Sequence, residues 1–417
     1  MTMYRLIFPD INGAPRGKLI APEHFAITKH YGIPSLVMVD DIEGKEAPGA
    51  TSSWIPSEDS DIMMVPDEAT LIPVPHNSEL EAQIIVDLET SGGKPIPVAP
   101  RTVLKQVLKQ YQELGIEIKI AAELEFYVMT PDGDIPEHAS KYERPYADIN
   151  ALDNHQAIMA QIFDMTRELG LKPEGVTKED NEGQYEVTFG PTDALFMADR
   201  TLYFKQLVKE VLRRNNLSGT FMAQPFGNAP GNGGHIHLSL WKDGQNLFDS
   251  DPQLLEQFVS GNMRYMRSLS AIFAPNPNSF RRWNNWGRGA KKPSHSSESR
   301  KDAAIRVTKH GDHGTHLEHR LSGADVCPHL AFAAILAAGL RGVQDKLAYD
   351  TAAVQEQTEL QLPLTVHESL ALFNNGDASQ LLGGDFVELF TAVKTNELAS
   401  FNRAVTEWER NAYGPQV

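Results

Sequence analysis

The sequence predicts an α+β protein with a small β-rich N-terminal domain, residues 1–96, and a larger C-terminal domain, residues 97–417. The length of 417 residues favours two domains, because single hydrophobic cores stop growing near about 250–300 residues. The first hundred residues have the pattern of short strands separated by turns, whereas the rest alternates between helical and strand patterns. Between these parts, residues 90–100 carry two glycines and three prolines and indicate a linker.

Turn residues bound the predicted N-terminal strands. Met3–Pro9 and residues 18–20 flank an Asn-Gly pair at positions 12–13. That pair is typical of a hairpin, because both residue types tolerate positive φ. Residues 61–65 and 81–88 are further β-like runs bounded by proline, asparagine or glycine. A small, turn-rich sheet is therefore expected.

The C-terminal part alternates between two hydrophobic periodicities. Apolar residues at helical spacing predict helices over residues 101–114, 154–169 and 194–215, and a buried helix over 330–340. Strand patterns predict strands over residues 116–129, Gln184–Phe189, 235–241 and 316–321.

Charge and cysteine content exclude several classes of protein. The net charge is −17, and a surface this acidic repels phosphate backbones, so no nucleic-acid partner is expected. The single cysteine, Cys327, can form neither an intrachain disulfide nor a thiolate metal cluster. Neither a signal-peptide pattern nor a run of about 18 apolar residues occurs. We therefore expect a cytoplasmic protein with no membrane partner.

Two carboxylates share one face of a strand that otherwise belongs to a core. Side chains two apart point the same way in a strand, so AAELEFYV puts Glu123 and Glu125 on one face and apolar Leu124 and Phe126 on the other. Burying unpaired carboxylates is costly, and a divalent cation would remove that cost. A solvated face, or pairing with lysine or arginine, is the alternative interpretation of this strand alone.

The same pattern recurs in three further segments. In each segment, polar or charged side chains stand two residues apart on one face of a strand or in an adjoining loop. They are Glu179 and Glu186 in KEDNEGQYEV; His235, His237 and Ser239 in GHIHLSL; and Glu318 and Arg320 in HLEHRL. Several carboxylates with imidazole and no thiolate favour Mg²⁺ or Mn²⁺ over structural zinc. Such ions neutralise charge in phosphoryl transfer, and no Walker A loop is present.

The order of these motifs resembles that of the glutamine synthetases. ExE is followed by two glutamates around GQ, a glycine loop with HxH, NPNSFRR and ExR, and the resemblance runs over most of the chain. NGAPRGK, AELEFY and VKTNELASF are most similar to the γ-glutamylpolyamine (γ-glutamylputrescine) synthetase branch. The resemblance implies a β-grasp-like N-terminal domain and a catalytic domain with a curved antiparallel sheet and flanking helices.

The resemblance also implies ligands for two or three Mg²⁺ or Mn²⁺ ions per active site, with ATP as co-substrate. One metal site would comprise Glu125, Glu179 and Glu186, and the other Glu123, His235 and Glu318. The positions that match nucleotide contacts are His237 and Ser239, with Glu179 beside them.

Further positions match residues that handle the substrate. Arg282 and Arg320 match arginines that hold the substrate carboxylate or the transferred phosphoryl group, and Arg306 and Lys301 match arginines that contact phosphates. The glycine loop, with Gly231 and Gly233, falls at the glutamate pocket, and Asp61 keeps an acidic position near the amine. The resemblance implies a homo-oligomer of stacked rings, with ten or twelve subunits and active sites at subunit interfaces.

Three departures from the family pattern bear on the amine. Ala50 and Thr51 stand where ammonium-binding members carry an aspartate, the segment after SFRR has no acidic residue before Glu298, and Lys301 replaces an arginine. A lysine is a point charge and not a bidentate fork, so this exchange is not neutral. We therefore expect an ATP-dependent ligase that joins the γ-carboxylate of glutamate to an organic amine. Glutamine synthetase using ammonium, or a non-catalytic metal- and nucleotide-binding member, are the alternatives.

Overall fold

The computed structural model describes residues 2–50, 54, 60–74, 77, 79–136, 145–285, 295–296, 303–310, 314–348 and 361–417. Two sheets and a set of helices make up this part of the chain. No helix within it is long and apolar enough to cross a membrane.

The N-terminal sheet has six strands. They are β1 (Met3–Pro9), β2 (Pro15–Ile20), β3 (Tyr31–Pro34), β4 (Asp61–Pro66), β5 (Ile72–Pro73) and β6 (Leu80–Glu89). Their order is β2-β1-β6-β4-β3, with β5 beside β6 and with β1 and β6 parallel at the centre. Gly13 has a φ of +75° in the β1–β2 turn, as the Asn-Gly signal predicts.

The second sheet has ten strands and carries the residues of interest. They are β7 (Glu117–Met129), β8 (Pro173–Lys178), β9 (Gln184–Phe189), β10 (Thr192–Asp193), β11 (Ser218–Thr220), β12 (Gly234–Lys242), β13 (Gln245–Asn246), β14 (His295–Ser296), β15 (Ile305–His310) and β16 (Gly314–His319). The order is β14-β15-β16-β12-β7-β9-β8, and all of its strand pairs are antiparallel except the short β14–β15 pair. The predicted α+β architecture with a largely antiparallel sheet is confirmed.

Helices flank both sheets. They are α1 (Pro22–Phe25), α2 (Pro100–Glu113), α3 (Ile149–Asp153), α4 (Gln156–Glu168), α5 (Ala194–Arg214), α6 (Leu247–Ser250), α7 (Pro252–Tyr265), α8 (Ser270–Phe273), α9 (Pro277–Asn285), α10 (Pro328–Gln344), α11 (Val366–Phe373), α12 (Asp377–Leu382), α13 (Gly384–Arg403) and α14 (Glu407–Tyr413). Short 3-10 turns lie at Ser35–Met38 and Glu68–Thr70. The predicted buried helix is α10, in which nearly every side chain is buried.

Two sequence expectations need correction, whereas the helix predicted over 154–169 is confirmed as α4. The short helix α3 precedes it, and between the two His155 has a φ of −120° and its ring bonds the Tyr185 hydroxyl at 2.6 Å. The predicted strand over 316–321 ends at His319, so Arg320 lies beyond it. The predicted linker is packed, because Ile96 and Val98 are fully buried. The domain limits, 1–96 and 97–417, stay a prediction.

Candidate active site

Strand β7 separates a polar face from the core. Glu123 and Glu125 are partly exposed on one face, whereas Leu124 and Phe126 on the other are 5% and 0% exposed. Alternation along a strand produces this separation, and the hydrophobic side chains fix the register, since a slip of one residue would bury the carboxylates. The site therefore rests on a strand that the core holds in place.

Strand pairing brings the other predicted ligands beside these carboxylates. His235 of β12 lies directly opposite Glu123, and Glu186 of β9 lies directly opposite Glu125. Glu318 of β16 lies opposite His237 on the next pair of strands. Four neighbouring strands thus bring together acidic and imidazole groups that are far apart in sequence.

A cavity of about 1070 Å³ lies over this face. Among the sequence-predicted site residues, those that line it are Glu123, Glu125, Glu179, Glu186, Gly231, His235, Arg282, Arg306 and Arg320. With Asp180, the cavity wall carries five carboxylates against three arginines. The side chains of the site therefore leave an excess of negative charge around the cavity.

The pKa of Glu186 shows how crowded the carboxylates are. Burial, followed by the negative charges of Glu123, Glu125 and Glu179, raises the pKa of Glu186 to about 9. Burial would raise the pKa of Glu123 as well, but hydrogen bonds from His235 and His237 outweigh it and lower that pKa. One carboxylate is thus compensated by imidazoles while its neighbour is not.

Glu318 is the most buried of the predicted ligands. Its side chain is 0% exposed, its Oε2 pairs with Arg306 and its Oε1 pairs with Arg320. Burial would raise the pKa of Glu318, but the nearby histidines and arginines lower it. The ion pairs fix both arginines on the cavity wall, a position that suits an anionic ligand.

The glycine loop approaches the metal-ligand strands too closely for any side chain. The Gly233 N–H donates to Glu125 Oε2 at 2.8 Å. A Cβ at Gly233 would meet Glu125 Oε1 at 2.8 Å and His235 Nε2 at 2.9 Å, and a Cβ at Gly231 would meet the Ala223 carbonyl at 2.4 Å. Glycine is therefore required at both positions for close backbone approach.

The donor set fits divalent cations. Two overlapping sets of side chains have ligand atoms within 4.8 Å of one another: Glu123, Glu186 and His235, and Glu123, His237 and Glu318. Carboxylates with imidazole suit Mg²⁺ or Mn²⁺, and the raised pKa of Glu186 marks negative charge that a cation would offset. These groupings differ from the sets implied by resemblance, since His237 lies within the cluster, 3.0 Å from Glu123.

Several predicted residues lie outside the cavity wall. Ser239 is buried, and its hydroxyl accepts a hydrogen bond from the Trp241 indole at 2.8 Å. His237 packs against the His316 ring, with the centroids 5.3 Å apart. Asp61 is exposed on β4 of the N-terminal sheet and does not line the cavity of its own chain. Lys301 falls outside the described residues.

Sequence reasoning missed several residues that line the cavity, among them Gln184 and Tyr146. Gln184 is buried beside Glu125 and lines the cavity, and Tyr146 lies on the cavity wall near Glu179. Gln184 had a usable signal, because it stands two residues before Glu186 and so shares its face. Tyr146 had none, because it precedes α3 in a connection without periodicity.

Comparison with known proteins identifies this arrangement. Residues 97–413 match the sequence profile described as glutamine synthetase, catalytic domain. The chain belongs to the glutamine synthetase family. It is 31% identical to a glutamine synthetase of Pyrococcus horikoshii, with 98% of this chain and 95% of that protein covered. It is 30% identical to γ-glutamylputrescine synthetase PuuA of Escherichia coli, with 97% and 90% covered.

A solved structure agrees with this assignment. A complex of GmaS with ADP superposes with a TM-score of 0.83 at 28% sequence identity, covering 100% of this chain and 97% of that one. Members of the glutamine synthetase family are ATP-dependent ligases that use divalent metals and act on glutamate and an amine or ammonia. The protein is therefore an ATP-dependent ligase, and the carboxylate-lined cavity is its candidate active site.

Proposed function

We propose that this ligase joins the γ-carboxylate of glutamate to an organic amine, a polyamine or a monoamine. The products are a γ-glutamyl amide, ADP and phosphate. The observation that carries the proposal is that three arginines and five carboxylates line the same cavity. Arginines suit the anionic glutamate and triphosphate, whereas carboxylates suit cations and a protonated amine.

The first chemical step activates a poor electrophile. An oxygen of the γ-carboxylate bonds to the γ-phosphorus of ATP, the bond to the bridging oxygen breaks, and ADP leaves. Arg306 and Arg320, fixed by Glu318, together with buried Arg282, are the groups that offset the negative charge gathering on the phosphoryl oxygens. Because Glu318 and the Leu321 carbonyl hold Arg320 and Arg282, they need little reorganisation.

The second step forms the amide. The nitrogen of a free amine attacks the acyl carbon of γ-glutamyl phosphate, phosphate leaves, and the nitrogen loses a proton. Divalent cations held by the glutamates and histidines would neutralise phosphate charge in this chemistry.

Two observations favour an organic amine over ammonium. Ala50 is one of the two residues that stand where ammonium-binding members carry an aspartate. It is apolar and 3% exposed, so it offers no carboxylate to a small cation. The relative PuuA, at 30% identity, is a γ-glutamylputrescine synthetase.

Glutamine synthesis from ammonium is the second candidate. The glutamine synthetase of Pyrococcus horikoshii, at 31% identity, supports it. We propose a homo-oligomer of stacked rings for either of these two functions. The position of Asp61 supports it, because this acidic residue lies off the cavity of its own chain and could serve the site of a second copy.

The test is phosphate release from ATP with Mg²⁺ and glutamate, compared across ammonium, putrescine, methylamine, ethanolamine and aniline. We expect one organic amine to give a kcat/KM at least tenfold above that of ammonium, with the γ-glutamyl amide detected by mass spectrometry. Preference for ammonium would identify a glutamine synthetase, and silence with every amine would reject glutamate as the acceptor. Arg320→Met should abolish release, whereas Arg167→Met, at an exposed ion pair on α4, should not.

A further inference from the structure

Gln184 is a buried glutamine between a proposed metal ligand and the glycine loop. It begins strand β9, is 1% exposed, and shares the cavity face with Glu186 two residues later. A glutamine amide carries two donor hydrogens and one acceptor oxygen, so its burial requires partners on both sides.

The amide nitrogen faces three acceptors. Gln184 Nε2 lies 3.2 Å from Glu125 Oε2, 3.1 Å from the Gly231 carbonyl oxygen and 3.2 Å from Asn232 Oδ1. The carboxylate and the carbonyl can only accept, so the nitrogen and not the oxygen must point toward them. On the other side, the Tyr127 hydroxyl lies 3.3 Å from Gln184 Oε1.

The loop that Gln184 contacts is fixed from several directions. The single hydrogen of the Tyr127 hydroxyl is shared between Gln184 Oε1 and the nearer Pro230 carbonyl, at 2.8 Å, and Asn232 Nδ2 donates to the Met222 carbonyl at 2.9 Å. The Gly233 N–H donates to the same Glu125 oxygen that Gln184 reaches. One carboxylate oxygen is therefore held by a strand side chain and by the loop backbone together.

We propose that Gln184 is a positioning residue that couples the Glu125 carboxylate to the glycine loop at 230–233. Because one side chain bonds both groups, a cation bound at Glu125 and a substrate bound at the loop favour the same arrangement of the carboxylate and the loop. The affinities for a divalent cation and for glutamate therefore rise together, since such coupling is reciprocal. The glutamate half of this inference rests on the proposed function.

The test compares Gln184→Glu and Gln184→Met with the unaltered protein. Gln184→Glu keeps the size of the side chain and the acceptor oxygen near Tyr127, but it sets a carboxylate oxygen against the three acceptors on Glu125, Gly231 and Asn232. Gln184→Met keeps a similar volume and has no hydrogen-bonding nitrogen or oxygen in its side chain. Calorimetry gives the Kd for Mn²⁺ alone, and the Kd for glutamate with and without Mn²⁺. Losing a partner that orients a metal ligand typically costs about 10–100-fold in metal affinity, so we expect Mn²⁺ binding to weaken at least tenfold in Gln184→Met, which adds no charge to the site.

The coupling factor separates positioning from a merely structural role. In the unaltered protein we expect Mn²⁺ to tighten glutamate binding about tenfold or more, and in Gln184→Met less than about threefold. The matched control is Gln83→Glu, a buried glutamine of the N-terminal sheet whose side chain contacts Arg5. It should leave Mn²⁺ binding and the coupling factor unchanged.

Each outcome decides the inference. An unchanged Kd for Mn²⁺ and an unchanged coupling factor in both Gln184 variants would overturn it. So would weakening of every ligand by one common factor together with a fall in melting temperature, which indicates a structural role alone. If the unaltered protein binds Mn²⁺ but not glutamate, the proposed function fails, while the Mn²⁺ arm still tests the link from Gln184 to Glu125.

Discussion

Two buried clusters of charged residues differ in whether the chain supplies its own counterions. The first joins the N-terminal sheet to helices α2, α5 and α10 around Arg101 of α2, which is 2% exposed. Its guanidinium bonds Asp67 at 2.7 Å, Asp87 at 2.6 Å and Asp199 at 2.9 Å, and His329 bonds Asp199 at 2.8 Å. Burial would raise the pKa of Asp199, but the hydrogen bond from His329 and the charge of Arg101 lower it.

The second cluster lines the cavity, where the pKa shift of Glu186 has the opposite sign to that of Asp199. There the pKa of Glu186 is raised to about 9 by burial and by Glu123, Glu125 and Glu179. A buried charge cluster that is satisfied from within stabilises a fold, whereas one left with excess charge is typical of a site that binds ions. Neither burial nor the sign of a pKa shift alone separates structural from functional carboxylates, since the pKa values of Glu123 and Glu318 in the cavity are lowered as well. The raised pKa of Glu186 marks the carboxyl group whose charge the chain does not compensate.

The largest expected effect comes from removing the central cation of the Arg101 cluster. Arg101→Met leaves three aspartates without their main partner and should lower the free energy of unfolding by about 3–5 kcal/mol. Urea denaturation followed by circular dichroism measures it. Arg167→Met, which breaks the exposed pair with Asp164, should cost less than about 1 kcal/mol. Equal losses in the two variants would contradict the distinction between the clusters.

Replacing the crowded carboxyl group of the cavity should do the reverse. Glu186 must take up a proton to be tolerated in the folded metal-free protein near neutral pH, and a glutamine at this position is already neutral, so the Glu186→Gln variant should melt at the same or a higher temperature without metal. Activity should fall more than about 100-fold, beyond the loss typical of residues that only orient a metal ligand. Differential scanning calorimetry in EDTA and a phosphate-release assay give the two quantities. A melting temperature lowered as much as in Arg101→Met would show that Glu186 stabilises the fold.

Added cations should stabilise the cavity cluster specifically. Mn²⁺ at about one hundred times its Kd should raise the free energy of unfolding by about 2.7 kcal/mol if it binds only the folded protein. Thermal shift with increasing Mn²⁺ measures this, and Glu186→Gln should lose most of the shift. A shift of equal size in both proteins would place the bound ion elsewhere.

A pH dependence of stability that has opposite signs in the two clusters is a further test. Glu186 keeps its proton in the folded protein up to a pKa of about 9, against an ordinary 4.5. Its contribution to stability is therefore full below about pH 4.5 and is lost as pH rises toward 9. Asp199 has a lowered pKa, so its contribution is present above its ordinary 3.8 and is lost as pH falls. Melting temperatures of metal-free protein between pH 5 and pH 9 should fall with pH, and less so in Glu186→Gln.

The cavity cluster could be predicted from sequence largely because strands impose period two. Glu123 and Glu125 alternate with Leu124 and Phe126, so their shared face follows from local geometry. The Arg101 cluster could not be predicted, since its aspartates come from a 3-10 turn cap, a strand and a helix whose approach depends on tertiary packing. Tertiary packing also explains why the linker prediction for residues 90–100 was wrong. Their prolines and glycines indicated a linker, but Ile96 and Val98 pack into the core.

Strand β7 uses one run of residues for two purposes, core on one face and cavity on the other. A substitution on either face changes one side chain and leaves the rest in place. An insertion or deletion of a single residue before Glu123 would rotate every later side chain to the wrong face, burying both carboxylates and exposing Phe126. Descendants of this sequence can therefore vary the cavity by exchanging residues, but changes of chain length are tolerated only in the connections between strands.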